Sequence, residues 1–582
     1  MPDPIGPRTA HITGAERTAV VVAAAVSVFA WLFRYNDPGG SFAGLTDDHF
    51  FYLVRGWQIL VGDLPVRDFV DHGAPLFYYL GAAVQLVCGR GTWSELMFCT
   101  TALSLSAALV FLLAWRASGS IAFGLIGAAF HIFLGPRFYN YPKMLVYAVA
   151  IPALWAFADR QSATRRFSVA LITAVAFLFR HDHGAFVAAG MALLLVALTD
   201  VPWRARLRHG VVYGSLVVAL LSPYLLFLQL NGGVVPYFES AASWADRDRD
   251  RAPVVWPGLF DNPEGVSDAA QDGPLLARAR AIAHDNRVAW LFYMMAVLPF
   301  VSLAALAASR QAFRPDWPRA GAKLAVVAGL GVVLNVGFLR SPLAARLADP
   351  SVPHAILIAW LGAGVMRACL NRDSLRPALQ RVALGARLGL VVSALPVALV
   401  VTVLLTDDSY NRLDKAILLE GPGRAFRRVG IVTSSLKRRW PIDTTRGDEA
   451  QGVMKLAVYL RECTSENDRV FMGLYLPQVL ALADRAFAGG HGDLRRGFFN
   501  SSDDQRLTLS RLRRQSVPVA VLGTAEYEGF RESFPLIASY FDDRYRVAGD
   551  RALDERFSIK LLVKKDLIPR RTYRRLDWPC FR

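Results

Sequence analysis

Between Ala19 and Leu405 the chain is built from apolar blocks of about 15–22 residues, separated by short polar stretches rich in Arg. About 20 apolar residues are what an α-helix needs to cross the hydrocarbon core of a bilayer. In that core every backbone polar group must be satisfied internally, which a helix does alone. The repeated blocks therefore restrict residues 1–406 to a multi-span helical membrane domain. Spans are expected near Arg17–Phe33, Ser94–Trp115, Ser120–Leu134, Lys143–Phe157, Phe167–Phe179 and Ala185–Leu198, and further on near Gly210–Leu230, Val288–Ala308, Lys323–Leu339, Pro353–Arg367 and Leu388–Leu405. Pro75–Cys88 is apolar but short, and is expected to lie along the interface. From residue 407 the composition becomes ordinary, and 407–582 reads as a soluble α/β domain. Its expected strands are Arg469–Gly473, Val517–Gly523 and Ser558–Lys564; its expected helices are Asp448–Glu462, Asp503–Arg514 and Phe530–Tyr540. The predicted fold is thus a polytopic α-helical membrane protein of about eleven transmembrane helices with a C-terminal extracytoplasmic α/β domain.

The formal charge of +17 is not a nucleic-acid signature here. Arg116, Arg160–Arg166, Arg204–Arg208, Arg310–Arg319 and Arg367–Arg387 fall in alternate loops. That is the positive-inside pattern, so those loops are expected in the cytoplasm. The same alternation puts the N-terminus inside and the C-terminal domain outside, with external loops at 34–93 and 231–287, and it fits a multi-pass protein of a bacterial inner membrane. The first span has no convincing small-residue cleavage site and is read as a retained helix. The five cysteines have no metal-ligand spacing; Cys463 and Cys580 are a candidate pair only if their domain is external.

The first external loop carries the chemistry. Thr46–Tyr79, TDDHFFYLVRGWQILVGDLPVRDFVDHGAPLFYY, holds Asp47, Asp48, Asp63, Asp68 and Asp71 beside Arg55, Arg67, His72 and many aromatics. Each Asp at the centre of a membrane helix costs roughly 2.5–3.5 kcal/mol, so this stretch belongs at a membrane surface or in a polar cavity. One reading of Asp47 and Asp48 is local: Thr46 or Asp47 caps a helix starting at His49, and the neighbouring carboxylate favours its dipole. The other is chemical: a partly desolvated carboxylate at the membrane boundary takes a proton from a hydroxyl. One Asp can cap while the other faces a cavity.

Asp48-x-x-x-Tyr52, Gly62-Asp63, Arg67-Asp68-Phe69, Pro75 and Tyr78-Tyr79 together resemble the first external loop of the GT-C glycosyltransferases, the branch with lipid A aminoarabinose transferase and the protein O-mannosyltransferases. The resemblance implies a multi-span GT-C-like fold with an external active site. It implies a sugar donor carried on a polyprenyl phosphate, and a base at Asp48 with Asp47 as its neighbour. Tyr52, Arg67, Asp68 and His72 become candidate loop and substrate residues. Several members carry a second Asp in the next external loop; here that loop reads GPRFYNYPKMLVY, with Arg137 and Lys143 instead. A two-carboxylate metal site is therefore doubtful, and a cation can neutralise the lipid phosphate directly. Against this stands snorkelling of Lys143 at a helix end. Arg180, in FRHDHGAF, ends an apolar run on the external side, and the resemblance aims it at phosphate. His181 and His183 lack a clear third metal ligand. Arg340 and Arg346 are further external cations, for phosphate, acceptor or plain surface.

The reaction expected is single displacement with inversion. Asp48 deprotonates or orients the acceptor hydroxyl, and polyprenyl phosphate leaves toward Lys143, Arg180, Arg340 or Arg137. The partners implied are a polyprenyl-phosphate-linked sugar, an external glycan, lipid or protein acceptor, and membrane lipids, with no nucleic acid. The competing classes are a transporter or flippase of a lipid-linked saccharide, a polyprenyl-diphosphate-dependent glycan ligase, and a non-catalytic assembly protein.

Overall fold

The computed structural model describes residues 14–37, 47–250, 256–258, 286–308, 319–339, 346–370, 394–404, 409–437, 448–492, 494–495, 497–553 and 558–582. Arg340 lies outside them, as does the side chain of Asp47. In chain order the helices of the first part are α1 (Gly14–Asn36), α2 (Asp47–Leu60), α3 (Pro75–Cys88), α4 (Thr92–Ser118), α5 (Ile121–Phe133), α6 (Tyr141–Asp159), α7 (Ala163–Phe179), α8 (His181–Ala197), α9 (Trp203–Leu230), α10 (Val234–Asp250), α11 (Arg287–Ala308), α12 (Ala320–Leu339), α13 (Ser351–Leu370) and α14 (Ala394–Leu404). Each of the eleven expected spans falls on one of them, the last only over 394–404, since 388–393 and 405 lie outside the described residues. Among the described residues, six helices are long and apolar enough to cross a membrane, and α3, α5, α8, α13 and α14 are shorter apolar helices. The expected loop 231–287 begins as a helix, α10, which takes up most of the alternating-charge run; 259–285 lies outside the described residues.

The acidic stretch of the sequence folds into a helical hairpin. Helix α2 packs against α3, and α3 packs on α4 and α7. Gly56 permits the close crossing: a Cβ there would sit 2.6 Å from Gln85 Nε2 and 3.0 Å from the Ala82 backbone nitrogen. Gln85 uses that Nε2 to donate to the Leu53 carbonyl at 2.9 Å, so it cannot simply swing away. Gly56→Val should therefore destabilise the hairpin by about 1–3 kcal/mol, the usual cost of overpacking. The check is a lower melting temperature of the detergent-purified protein.

Two helices, Pro422–Lys437 and Asp448–Cys463, lead into the C-terminal sheet region. Its five-stranded sheet has the order β2-β1-β3-β5-β4, with β1 (Arg469–Met472), β2 (Ala486–Phe487), β3 (Val519–Gly523), β4 (Tyr545–Ala552) and β5 (Ser558–Lys564). β2, β1 and β3 run parallel; β5 is antiparallel to β3 and to β4. Val470, Met472, Val519, Val521, Ile559, Leu561 and Val563 face the core shared with the membrane helices, while Phe471, Ala520, Leu522 and Leu562 face a second core. Burial on both faces makes these strands continuous apolar runs. The expected helix Phe530–Tyr540 is instead two helices, Tyr527–Ser533 and Pro535–Arg544. Pro535 has no backbone N–H and opens the second one, so the first stops at Ser533. A disulfide joins Cys463 to Cys580.

Candidate functional site

A helix turns about 100° per residue, so Asp48, Tyr52 and Arg55 share one face of α2. The helix opens at Asp47, two residues before the expected start. The half-buried Asp48 carboxylate accepts a 2.8 Å hydrogen bond from the phenol of Tyr475, a residue of the loop after β1. Tyr52 stacks on Phe77 with ring centroids 4.0 Å apart and lies 6.4 Å from Tyr139. Arg55 is 2% exposed, its guanidinium 3.2 Å from the Phe51 centroid and 5.4 Å from that of Tyr78. Its Nε and one Nη have no hydrogen-bond partner among the described residues. A buried cation held by ring faces keeps its edge donors for an anion.

The α2–α3 turn ties this face to the C-terminal region. Arg469 grips Asp63 with two bonds, 2.6 and 2.9 Å, and Gln58 donates to the same carboxylate at 2.7 Å. Arg511 donates to the carbonyls of Val66 and Arg67. Arg67 and Asp68 pair with each other at 2.6 Å in a largely exposed position. Asp68 also accepts from the Leu64 N–H, so both residues shape the turn. Asp71 accepts from the N–H groups of Gly73 and Ala74 in the turn before α3 and from the phenols of Tyr237 (2.8 Å) and Tyr224 (3.3 Å). Gly73 has φ +83°, and a Cβ on it would meet His181 Nδ1 at 2.9 Å, so this turn and the α7–α8 junction press together.

His72 lies beside Phe51 and Phe499, and burial next to Arg55 holds it well below the usual histidine range. His491, 3.0 Å from Thr508 Oγ1, is pushed down to about 3 by burial, with Arg511 and Arg55 adding to it. Folded values below the unfolded one of about 6.5 mean that the unfolded chain gains protons first as pH falls. Stability is complete above that value and is lost as pH drops from about 6.5 toward 3. Each histidine contributes a slope of at most about 1.4 kcal/mol per pH unit. Melting temperatures between about pH 7 and pH 5 should fall, and His491→Gln should flatten the fall.

The expected phosphate cations take different positions. Arg137 donates to the Tyr139 phenol at 3.2 Å, beside Asp48 and Tyr52. Arg180, at the α7–α8 junction, pairs with Asp182 through two bonds, and its charge is the strongest one acting on Tyr52. Lys143 pairs with Asp349 at 2.6 Å, with Asn140 on the same carboxylate. Asp349, the partner of Lys143, comes from the turn before α13. His183 meets the Tyr147 phenol at 2.9 Å, whereas His181 meets Tyr224 at 3.4 Å, so the two point to separate partners. Among the described residues no three His, Cys, Asp or Glu converge as a metal site.

Tyr475, Asp349 and the buried setting of Arg55 were not singled out in the sequence. Tyr475 and Asp349 act across hundreds of residues of chain and carry no local motif. Arg55 did carry a signal: it stands seven residues after Asp48, two helical turns on the same face.

No protein-family model matches this chain, and no curated protein matches it. Two solved structures are similar in layout. One is ArnT from Cupriavidus metallidurans bound to undecaprenyl phosphate, 14% identical, with a TM-score of 0.45 over 93% of this chain and 97% of that one. The other is the same protein in the apo state, 14% identical, with a TM-score of 0.45 over 94% and 98% of the two chains.

Proposed function

We propose that the chain is an integral-membrane glycosyltransferase that moves a sugar from a polyprenyl phosphate to an acceptor hydroxyl outside the cytoplasm, with inversion. The observation that carries this reading is the face of α2: a carboxylate at Asp48 positioned by the Tyr475 phenol, with Tyr52 and the buried Arg55 on the next two turns. Residues 1–406 form the transferase domain, and 407–582 an external domain that contributes Tyr475. Asp48 accepts or orients the proton of the attacking hydroxyl while Tyr475 fixes which oxygen does so. As the bond from the sugar to phosphate breaks, negative charge grows on the phosphate oxygens. Arg137 and Arg180 flank the Tyr52–Tyr139 pair and stabilise that charge, and a leaving phosphate needs no strong acid. Lys143, matched by Asp349, holds α6 to the turn before α13 and is neutralised by that carboxylate. Arg67 and Asp68 keep the turn in shape; His72 packs beneath Arg55.

The test uses membranes of a strain lacking the gene, complemented with wild type or Asp48→Asn. Polyprenyl-phosphate sugars and surface glycans are profiled by mass spectrometry. Accumulation of one polyprenyl-phosphate sugar and loss of one residue from a glycan, at normal protein level, identifies donor and acceptor together. Identical profiles for the two strains make Asp48 a cap and not the base; the same comparison is then made with Asp47→Asn, and identical profiles there too refute the transferase reading.

A further inference from the structure

The opposite face of α2 borders a different chemistry. Phe50 and Leu53, turned away from Asp48 and Tyr52, line a cavity of about 610 Å³ between the hairpin, the start of α4 and the C-terminal region. Its charged lining is Arg90, Lys437, Arg461, Arg485 and Arg582 against Glu466 and Asp484, with Arg485 spent on the carbonyls of Ala483, Asp484, Arg461 and Thr464. Arg461 meets Asp484 at 3.7 Å, a loose pair. Lys437 sits 4.2 Å over the Trp93 ring and, among the described residues, pairs with no carboxylate. Five cations against two carboxylates in one concave space attract an anion and hold it with charge-assisted bonds. Apolar surface flanks the cavity. Leu86 and Val87, next to the lining residue Cys88, are 75% and 84% exposed. On the helix that ends at Lys437, Phe426 and Ile431 are 57% and 60% exposed. The exposed Leu86 and Val87 next to this cationic hollow, with further exposed apolar side chains along the helix that ends at Lys437, reproduce the layering of a lipid, acyl chain next to phosphate.

We propose that this cavity is a second phosphate-anion site, separate from the one around Asp48, and that the phosphate of an anionic membrane lipid fills it. The lipid would brace the hairpin that carries Asp48 against the C-terminal region that carries Tyr475.

The test uses the full-length detergent-purified protein, with melting temperature followed against three additions: phosphatidylcholine, phosphatidylglycerol and inorganic phosphate. The variants are Lys437→Gln/Arg582→Gln and Asp48→Asn. Phosphatidylglycerol should stabilise more than phosphatidylcholine, and the double variant should need roughly tenfold more of it or worse. Asp48→Asn should respond as wild type does. Saturable stabilisation by inorganic phosphate alone, lost in the double variant, keeps the phosphate site and makes its source soluble. Equal effects of the two lipids with no effect of phosphate overturn the proposal, as does a double variant that responds like wild type. Loss of the response in Asp48→Asn also overturns it, since the anion then sits at the catalytic face. Should the double variant lack a cooperative melt, Lys437→Met and Arg582→Ala are compared singly on the same criteria.

Discussion

Asp48→Asn is expected to lower the transfer rate by about 10²–10⁴-fold, the range a positioned general base supplies, while the protein accumulates and melts normally. Asn keeps an oxygen that can accept the Tyr475 hydrogen bond, now 2.8 Å to Asp48, so the contact to the C-terminal region survives and only basicity is lost. Tyr475→Phe makes the complementary change: the carboxylate stays but loses its positioning donor. Its expected cost is about tenfold, the size of one hydrogen bond to a charged group. The double variant should be no slower than Asp48→Asn alone, because Tyr475 acts only through the carboxylate. If Asp48 were instead a helix cap, the order would invert. Asn caps as well as Asp, so turnover would be untouched, and Asp47, which opens the helix, would be examined next. Turnover of a purified polyprenyl-phosphate sugar, with melting temperature measured in parallel, separates the two.

The membrane part was legible because its signal is local and repeated. A run such as Thr92–Ser118 states its own length and polarity. Strands β1, β3 and β5 were legible for the same reason, each being a short apolar run rich in β-branched residues or Leu. Strand β4, YRVAGDRA, is an exposed edge whose only sheet partner among the described residues is β5, and nothing in its composition separates it from a loop. The site divides along the same line. Asp48 stood out as a carboxylate in an aromatic, membrane-adjacent stretch. What holds it did not, because Tyr475 lies 427 residues away. Asp349 reaches Lys143 over 206 residues, in a segment read only for its cations. Sequence spacing locates a reactive group on one helix face; the groups that orient it come from wherever the chain returns.

That return is secured at the end of the chain, and there the second large effect is expected. Cys463 closes the helix that leads into β1, and Cys580 lies on the last strand, Trp578–Cys580. Both are fully buried. Around them Tyr459 donates to the Pro579 carbonyl at 2.7 Å and meets the Trp578 ring at 5.0 Å, and the Phe581 N–H donates to the Cys463 carbonyl. The disulfide closes a separation of 117 residues, for which chain entropy gives about 4–5 kcal/mol as an upper figure. Cys463→Ser/Cys580→Ser should lower the melting temperature of the C-terminal region sharply. It should also slow transfer, since that region supplies Tyr475. The bond tests orientation as well. It persists in an oxidising compartment and is kept reduced in the cytoplasm. Cells lysed directly into denaturant with a maleimide should show three labelled thiols, the five cysteines less the bonded two, and all five only after reduction. Five labelled thiols without reductant would put the C-terminal region in the cytoplasm. The hydroxyl acceptor and the lipid-linked donor would then have to meet on the other face of the membrane.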